Sequence, residues 1–423
     1  MKEVRYIHAA DLHLDTPFTG LSRRLAPEAG EMLRQATFDA LENLVRLCER
    51  EKPDFLLLAG DIYNEEERSI RAQLRLADAC ARLDRLNIPV FISHGNHDPL
   101  SSRISSINWP DNVKIFGPDP SFHLLVNDGE PYAIVHGASH ATRHERRNLA
   151  SLFKRDSNQA CFQIGLLHCN VDGMVQDAPY ASCSLQDLRN TGLDAWALGH
   201  AHKQQILSRE PFIAYSGNTQ GLHPGENGPK GCLLVTARHT GVAWQCEEQF
   251  MELAPVRWEN MEINLAGSMA LDDAAQAIQN GIVELTQKLS HTKGLLGSLT
   301  LKGATELDKD LRSASMAEHI RESCGDCIYG DTRFWLRKLD AATEPPNSQG
   351  DMADRDDLLG ETARLAHSLE KDDAHLEAFM EQALKELFTN RRIAAVIPKP
   401  DLEEMRELAQ NALHICQAAL EER

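Results

Sequence analysis

The chain has 423 residues, which indicates two or three domains, and its composition of 42% hydrophobic and 25% charged residues excludes a wholly disordered protein. It shows neither a signal-peptide pattern nor a run of about 18–20 apolar residues, so we expect a cytoplasmic protein that does not span a membrane. The formal net charge of −19 weighs against nucleic-acid binding, because contacts with phosphates require lysine and arginine.

The first 250 residues alternate short apolar runs with helical stretches. The apolar runs are Val4–Ala9, Phe55–Ala59, Pro89–Ser93, Val113–Phe116, Tyr132–Val135, Phe162–Leu167 and Ala195–Leu198. Helical spacing is found between the first three runs, around Ala36–Arg50 and Ser69–Leu86. Strands that alternate with helices pair in parallel, so this part predicts an α/β sheet covered by helices. The later runs have little helix between them, which predicts a second, partly antiparallel sheet.

The remaining residues are predicted to form two parts joined by a linker. Residues 255–340 contain strand-like stretches on either side of a helical one, which predicts a small α+β domain. Residues 341–354 contain Pro-Pro-Asn-Ser-Gln-Gly, a composition that is typical of a linker. In residues 355–423, apolar positions at helical spacing predict two amphipathic helices, one carrying Leu365 to Leu387 and one carrying Leu402 to Cys416. We therefore expect a C-terminal helical hairpin.

Residues that bind metals follow five of the apolar runs. They are Asp11, His13, Asp61, Asn96, His168, His200 and His202. Functional groups in α/β sheets gather at the carboxyl ends of the strands, so we expect these side chains at one edge. Carboxylate oxygens and imidazole nitrogens suit Mn²⁺, Zn²⁺, Fe or Co²⁺, and one carboxylate can bridge two ions, a role that fits Asp61. Each motif alone carries little information, but together and in this order they predict a centre of two divalent metal ions.

The ordered motifs resemble those of the calcineurin-like metallophosphoesterases. These motifs are Asp11-x-His13, Gly60-Asp61, Gly95-Asn96-His97-Asp98, His168 and Gly199-His200-x-His202. Within that family the chain is most similar to the SbcD-like DNA-repair nucleases of the bacterial YhaO-type branch, through Tyr215–Pro224 and Pro179–Leu185. The resemblance implies a four-layer α/β fold, a β-sandwich flanked by helices. The catalytic domain would span residues 1–250, the small capping domain 255–340, the linker 341–354 and the hairpin 355–423.

The resemblance also implies a role for each motif residue. One ion would be held by Asp11, His13 and His202 and the other by Asn96, His168 and His200, with Asp61 between them. His97 would be the catalytic histidine and Asp98 its orienting partner. A hydroxide bridging the ions would attack the scissile phosphate, and Mn²⁺ is the favoured metal. By the same resemblance His223 is a candidate substrate contact, with a solvated loop residue as the alternative. Arg143 is a second candidate, which rests on its basic neighbours and not on the resemblance.

Three further observations have alternative interpretations. Asn64 stands where many phosphatases of this family have an acidic residue, which argues against the Ser/Thr protein-phosphatase branch. We expect His8 to be a hydrogen-bonded core residue, and His94 is a candidate for orienting a metal ligand. A basic cluster is either a contact for the phosphate backbone or a solvated helix start; it comprises His136, His140, Arg143, His144, Arg146 and Arg147.

The function implied by the resemblance is that of a metal-dependent phosphodiesterase acting as a DNA nuclease, an exonuclease or an endonuclease, in end processing or repair. Its partners would be DNA and an SMC-like, SbcC-like ATPase bound by the C-terminal helices, and a homodimer stays open. Two alternatives also stay open: a phosphodiesterase or phosphatase for a small nucleotide-like substrate, and a non-catalytic scaffold. Residues 351–423, with 9 basic and 17 acidic groups, hold −8 of the net charge of −19. The charge predicts that the isolated chain binds DNA weakly and needs a partner.

Overall fold

The computed structural model describes residues 3–18, 27–64, 69–102, 107–174, 180–289, 292–324, 326–346, 356–389 and 400–421. The end of the predicted linker and most of the stretch between the two predicted C-terminal helices lie outside these ranges.

Strands and helices are numbered in chain order within the described residues. Strands β1 to β16 are Glu3–Ala9, Phe55–Ala59, Val90–Ser93, Val113–Ile115, Ser121–Asn127, Glu130–Gly137, Phe162–His168, Ala195–Gly199, Gln205–Arg209, Phe212–Tyr215, Gly231–His239, Trp244–Glu252, Val256–Asn264, Gly294–Ala304, Asp326–Tyr329 and Thr332–Glu344. Helices α1 to α9 are Pro27–Glu51, Ile70–Asp84, Leu185–Asn190, Leu271–Gln287, Asp308–Leu311, Ala314–Cys324, Leu358–Lys371, Asp373–Thr389 and Leu402–Glu421. None of these helices is long and apolar enough to cross a membrane.

Two six-stranded sheets form a sandwich. The first has the strand order β12-β11-β1-β2-β3-β4 and the second β5-β6-β7-β8-β10-β9. Strands β1 to β4 are parallel to one another, as are β6, β7, β8 and β10, whereas the outer strands β5, β9, β11 and β12 pair antiparallel. The parallel sheet and the partly antiparallel second sheet predicted from the apolar runs are therefore confirmed.

The sandwich has four layers because each sheet is apolar on both faces. Aromatic side chains fill the space between the sheets, and the ring of Tyr6 stacks on Phe55 and Phe162 at 5.5 and 5.9 Å. The outer face of the first sheet packs against α1 and α2, through side chains such as Leu44 and Leu76. The outer face of the second sheet is covered by α3 and the segments around it. The expected four-layer α/β architecture is thus the observed one.

The two sheets approach closely at the edge where β1, β2, β7 and β8 end. The imidazole Nε2 of His8 lies 3.0 Å from the carbonyl oxygen of Leu198, so this buried residue is the hydrogen-bonded core histidine that the sequence predicts. A Cβ atom at Gly199 would lie 1.6 Å from the carbonyl oxygen of Ala59. Only glycine therefore allows the ends of β2 and β8 to come this close.

The chain divides into two compact units. The first contains residues 1–261, 282–298 and 324–338, and the second contains 262–281, 299–323 and 339–423. Strands β13 to β16 form a sheet in the order β13-β14-β16-β15. The domain boundaries implied by the resemblance stay a prediction.

The described residues of the C-terminal region, 356–389 and 400–421, form three helices, where the sequence predicts two. The first predicted helix is interrupted at Asp372, whose backbone is extended. The Asp372 carboxylate accepts hydrogen bonds from the N–H groups of Ala374 and His375, at 3.0 and 3.2 Å. A side chain that satisfies the free N–H groups of a first turn starts a new helix, so Asp372 separates α7 from α8. The three helices pack through Leu369, Leu376, Met380 and Ala409.

Candidate metal centre

The predicted metal ligands gather at the edge of the sandwich where the sheets come closest, within the first unit. Ligand atoms of Asp11, His13 and His202 all lie within 4.8 Å of one another, and so do ligand atoms of Asp11, Asp61 and His168. The first group is the set expected for one ion. Asp11 belongs to both groups, so the two candidate positions are adjacent.

Four of the seven predicted ligands have a left-handed backbone. The φ angles are 51° at Asp11, 43° at His13, 46° at Asp61 and 107° at His200. The chain is therefore not extended at Asp11 and His13, although both follow strand β1 closely. Their N–H groups donate to the carbonyls of Gly60 and Asp61, at 3.1 and 3.0 Å, and these bonds hold the turn. Strained conformations of non-glycine residues concentrate at functional sites, where they aim side chains that a regular strand would turn away.

Two imidazoles face each other in the first group. The Nε2 atoms of His13 and His202 are 3.1 Å apart. His13 donates its Nδ1–H to Asn64 Oδ1 over 2.8 Å, so its Nε2 is an acceptor. The Nδ1–H of His202 donates to Glu226. Two imidazole nitrogens this close converge on the position that a cation would take between two imidazole ligands.

Three oxygen atoms surround the ring of His168, a member of the second group, and two of them lie at its Nε2. Its Nδ1 lies 3.2 Å from the carbonyl oxygen of Ala59, and its Nε2 lies 3.0 Å from Asn96 Oδ1 and 3.4 Å from Asp61 Oδ2. With the ring proton on Nδ1, where it is donated to Ala59, the Nε2 atom carries a lone pair. That lone pair faces two oxygen atoms, Asn96 Oδ1 and Asp61 Oδ2, which also carry lone pairs. Such a convergence of acceptors fits a divalent cation with mixed oxygen and nitrogen ligands.

His200 joins the group through both its backbone and its ring. Its N–H donates to the two carboxylate oxygens of Asp11, at 3.1 and 3.0 Å. Its ring lies edge-on to that of His168, with 5.1 Å between centroids. The buried Nε2 atom has no hydrogen-bond partner among the described residues. Because an unpaired buried polar atom is costly, a metal ion is a fitting partner.

Burial keeps three of the histidines neutral, which is the form that binds metals. It lowers the pKa of His13 to about 3 and that of His200 to about 4, and it lowers the pKa of His168 well below the usual range. His202 differs: burial lowers its pKa, but the hydrogen bond to Glu226 and the charge of Asp11 outweigh this and leave the pKa above its ordinary value. His202 is therefore the imidazole of the facing pair that binds a proton more readily.

The carboxyl groups show the opposite shift. Burial raises the pKa of Asp11 to about 6, against the opposing charge of His202. Burial and the charge of Asp11 raise the pKa of Asp61 well above its ordinary value. Two buried acids this close repel each other when ionised, and divalent cations would offset that charge. The donor set thus fits the predicted metal ions.

The catalytic histidine of the prediction, His97, borders this site. Its N–H donates to Asp61 Oδ1 over 2.9 Å, and its ring lies edge-on to His13 at 5.1 Å between centroids. Asp98 accepts from the N–H groups of Ile62 and Gly95 and lies 3.0 Å from His94 Nδ1. The role of Asp98 in orienting His97 stays a prediction.

The predicted substrate contacts lie at the rim. His223 has a half-exposed side chain, with its Nε2 3.4 Å from Glu226 Oε1. Arg143 is exposed, and its charge opposes the rise in the pKa of Asp61 that burial causes. Only part of the predicted basic cluster faces solvent: His136 and His140 are buried, and Arg147 pairs with Glu145 and Asp119.

Two buried residues beside His202 were not predicted from the sequence. One is Glu226, which accepts the His202 Nδ1–H, and the other is Lys230, whose Nζ donates to the His202 carbonyl over 2.7 Å. The only signal was a carboxylate three residues after His223 in a glycine-rich loop. The contact of Asn64 with a metal ligand was not predicted either. In the sequence Asn64 is only a departure from a phosphatase pattern. In the structure its side chain accepts the Nδ1–H of His13 and so orients that ring.

Comparison with known proteins gives matches over the part of the chain that carries the predicted ligands, and one match over nearly the whole chain. Residues 4–204 match the family model of the calcineurin-like phosphoesterases. The metallophosphoesterase YhaO of Bacillus subtilis (strain 168), itself uncharacterized, is 32% identical over 414 residues, which are 97% of this chain and 97% of YhaO. The DNA double-strand break repair protein Mre11 of Aeropyrum pernix is 27% identical over 246 residues, covering 55% of this chain and 57% of that protein. A crystal structure of a dimetal phosphatase from Danio rerio matches with a TM-score of 0.35 and 14% identity, over 59% of this chain and 99% of that one.

Proposed function

The chain belongs to the calcineurin-like phosphoesterase family, and from this premise we propose that it is a two-metal phosphodiesterase that cleaves DNA. The observation that carries the proposal is the pair of overlapping cation sites that share Asp11. Together with Asn96 and His200, the five residues of these sites make up the proposed seven-ligand set: Asp11, His13, Asp61, Asn96, His168, His200 and His202.

The chain's own residues have distinct tasks in this reaction. The carboxylates, the Asn96 amide oxygen and the four imidazoles would hold the ions, for which Mn²⁺ is our candidate. When bound, divalent cations lower the pKa of a coordinated water to about 7 and offset the charge of phosphoryl oxygens. His97, next to His13, holds the proton that the leaving oxygen receives.

The rim of the site supports a nucleic-acid substrate. The exposed ring of His144 stacks on Tyr180 at 5.9 Å, and Tyr180 in turn lies edge-on to His200. Arg143, next to His144, is exposed. Aromatic rings that stack on bases and arginines that contact phosphates are the usual means of holding a nucleic-acid strand without sequence preference. The similarity to Mre11 proteins favours DNA in the same way.

We propose that the C-terminal helices bind an SbcC-like ATPase. Helices α7 and α9 expose apolar side chains, among them Leu358 at 57%, Leu408 at 47% and Ile415 at 70%. Amphipathic helices present such residues to partner helices. An ATPase that contacts DNA would also compensate for the acidic character of this chain.

A cleavage assay tests the proposed activity. The purified chain, with Mn²⁺ and with or without the ATPase, is given labelled linear DNA or a chromogenic phosphodiester. We expect Mn²⁺-dependent DNA cleavage that is abolished in Asp61→Asn, whose substitution removes a charged ligand. Asp128→Asn is the control, because Asp128 is exposed in the turn between β5 and β6. Cleavage of the small diester alone, with the ATPase present, would instead indicate a small nucleotide-like substrate.

A further inference from the structure

Glu226 is a buried carboxylate that none of the proposed catalytic steps uses. It lies in the segment between β10 and β11 and is 6% exposed. Its Oε1 accepts the Nδ1–H of His202 and faces His223 Nε2, while its Oε2 accepts the N–H of Leu222 over 2.6 Å. Both carboxylate oxygens therefore have fixed partners.

These contacts decide which nitrogen of His202 faces the metal ligands. With Nδ1–H donated to Glu226, the lone pair of the neutral ring is on Nε2, which points towards His13. The acceptor bound to the second nitrogen of an imidazole fixes the tautomer and the ring orientation of a metal-binding histidine. Asn64 does the same for His13 with a neutral amide, whereas Glu226 supplies a charged acceptor.

The segment that carries Glu226 is itself anchored. The N–H of Glu226 donates to the carbonyl of His223 over 3.0 Å, and the indole N–H of Trp258 donates to the carbonyl of Gly221 over 3.0 Å. A Cβ atom at Gly221 would lie 3.0 Å from the carbonyl oxygen of Glu226. From the other side, Lys230 Nζ holds the carbonyl of His202. The carboxylate is thus built into a rigid frame around the ligand.

We propose that Glu226 is a positioning residue: it holds His202 in the tautomer and orientation needed for the ion bound with Asp11 and His13, and it links this ligand to the half-exposed His223. The inference rests on the proposed metal centre. It concerns one of the two ions, because Glu226 contacts His202 and the second group of ligands does not include that residue.

Titration of the full-length protein with Mn²⁺ by calorimetry tests the role of Glu226. Glu226→Ala removes the acceptor. Glu226→Gln has a single carbonyl oxygen and cannot accept from both His202 and Leu222. In both variants we expect Mn²⁺ binding at the site with Asp11, His13 and His202 to weaken about 10–100-fold, which is the usual effect of removing the hydrogen-bond partner of a metal ligand. The other binding event should change less than about 3-fold. Glu248→Gln is the control. It removes a carboxylate on β12 that pairs with Arg209 and, among the described residues, contacts none of the metal ligands, so it should leave both binding events unchanged.

A second readout separates orientation from general stability. With Co²⁺ in place of Mn²⁺, the visible absorption of the variants at Glu226 should change in band position or intensity, while Glu248→Gln should give the wild-type spectrum. Unchanged affinities and spectra in both Glu226 variants, or equal weakening of both binding events, would overturn the positioning role. If the wild-type protein bound no Mn²⁺ at all, the metal centre itself would be refuted, which is a distinguishable result.

Discussion

Asp11→Asn should stabilise the metal-free protein and abolish its stabilisation by metal. Asp11 is buried, and burial raises its pKa from 3.8 to about 6. Because the folded state binds this proton more tightly than the unfolded state, the stability from the neutral carboxyl is complete below about pH 4 and is lost as the pH rises through about 6. Asparagine has no such loss, and its oxygen can still accept the N–H of His200.

The magnitude follows from the pKa difference. A rise from 3.8 to about 6 corresponds to about 3 kcal/mol, since each pH unit of pKa difference is worth about 1.4 kcal/mol. With a chelator present, the free energy of unfolding of Asp11→Asn minus that of the wild type should therefore increase by about 2 kcal/mol between pH 4 and pH 7.5, since the unfolded carboxyl is already partly ionised at pH 4. With saturating Mn²⁺ the order should reverse, because only the wild type keeps a charged ligand shared by both candidate groups.

Urea unfolding at several pH values, with chelator and with Mn²⁺, measures both effects. Asp128→Asn is a matched control, because Asp128 has the same φ of 51° but is exposed. It should follow the wild type at every pH and with either addition. If the difference between Asp11→Asn and the wild type stayed constant from pH 4 to pH 7.5 without metal, Asp11 would not be the costly buried carboxylate described above.

Three further outcomes are expected. His97→Ala should keep its Mn²⁺ affinity, because the backbone N–H of residue 97 still donates to Asp61. Its turnover of a chromogenic diester should fall about 100-fold or more. Loss of both ions would contradict the role of His97 as proton donor. Gly95→Ala should lower the free energy of unfolding by about 1–3 kcal/mol, because its Cβ would lie 2.2 Å from Asp61 Oδ1; unfolding curves that match the wild type would refute this close approach. Deleting residues 355–423 should leave the sandwich folded, as measured by circular dichroism, because its core clusters lie in the first unit. The same deletion should abolish co-purification with the ATPase. A truncated chain that unfolds would count against the proposed partner-binding role.

The sequence predicted the strands that carry the site better than the strands around them. Apolar runs marked β1, β2, β3, β7 and β8, because these strands are buried on both faces. Strand β5 was missed, since it is an exposed edge strand without a continuous apolar run. The neighbour of β1 in the first sheet was also missed: β11 pairs with it from more than 200 residues away, and no local pattern encodes that pairing.

The sequence by itself determined which residue types stand at the ends of the buried strands. Because parallel strands bring their carboxyl ends to one edge, this was enough to predict a metal centre and the family. Tertiary structure alone decided how those side chains are aimed. It sets the left-handed backbone at Asp11, His13, Asp61 and His200, and it brings Asn64 and Glu226 to the outer nitrogens of two ligands that lie 51 and 24 residues away in the chain. The physical reason is that hydrogen bonds across such separations depend on how the chain packs, which no periodicity in the sequence records.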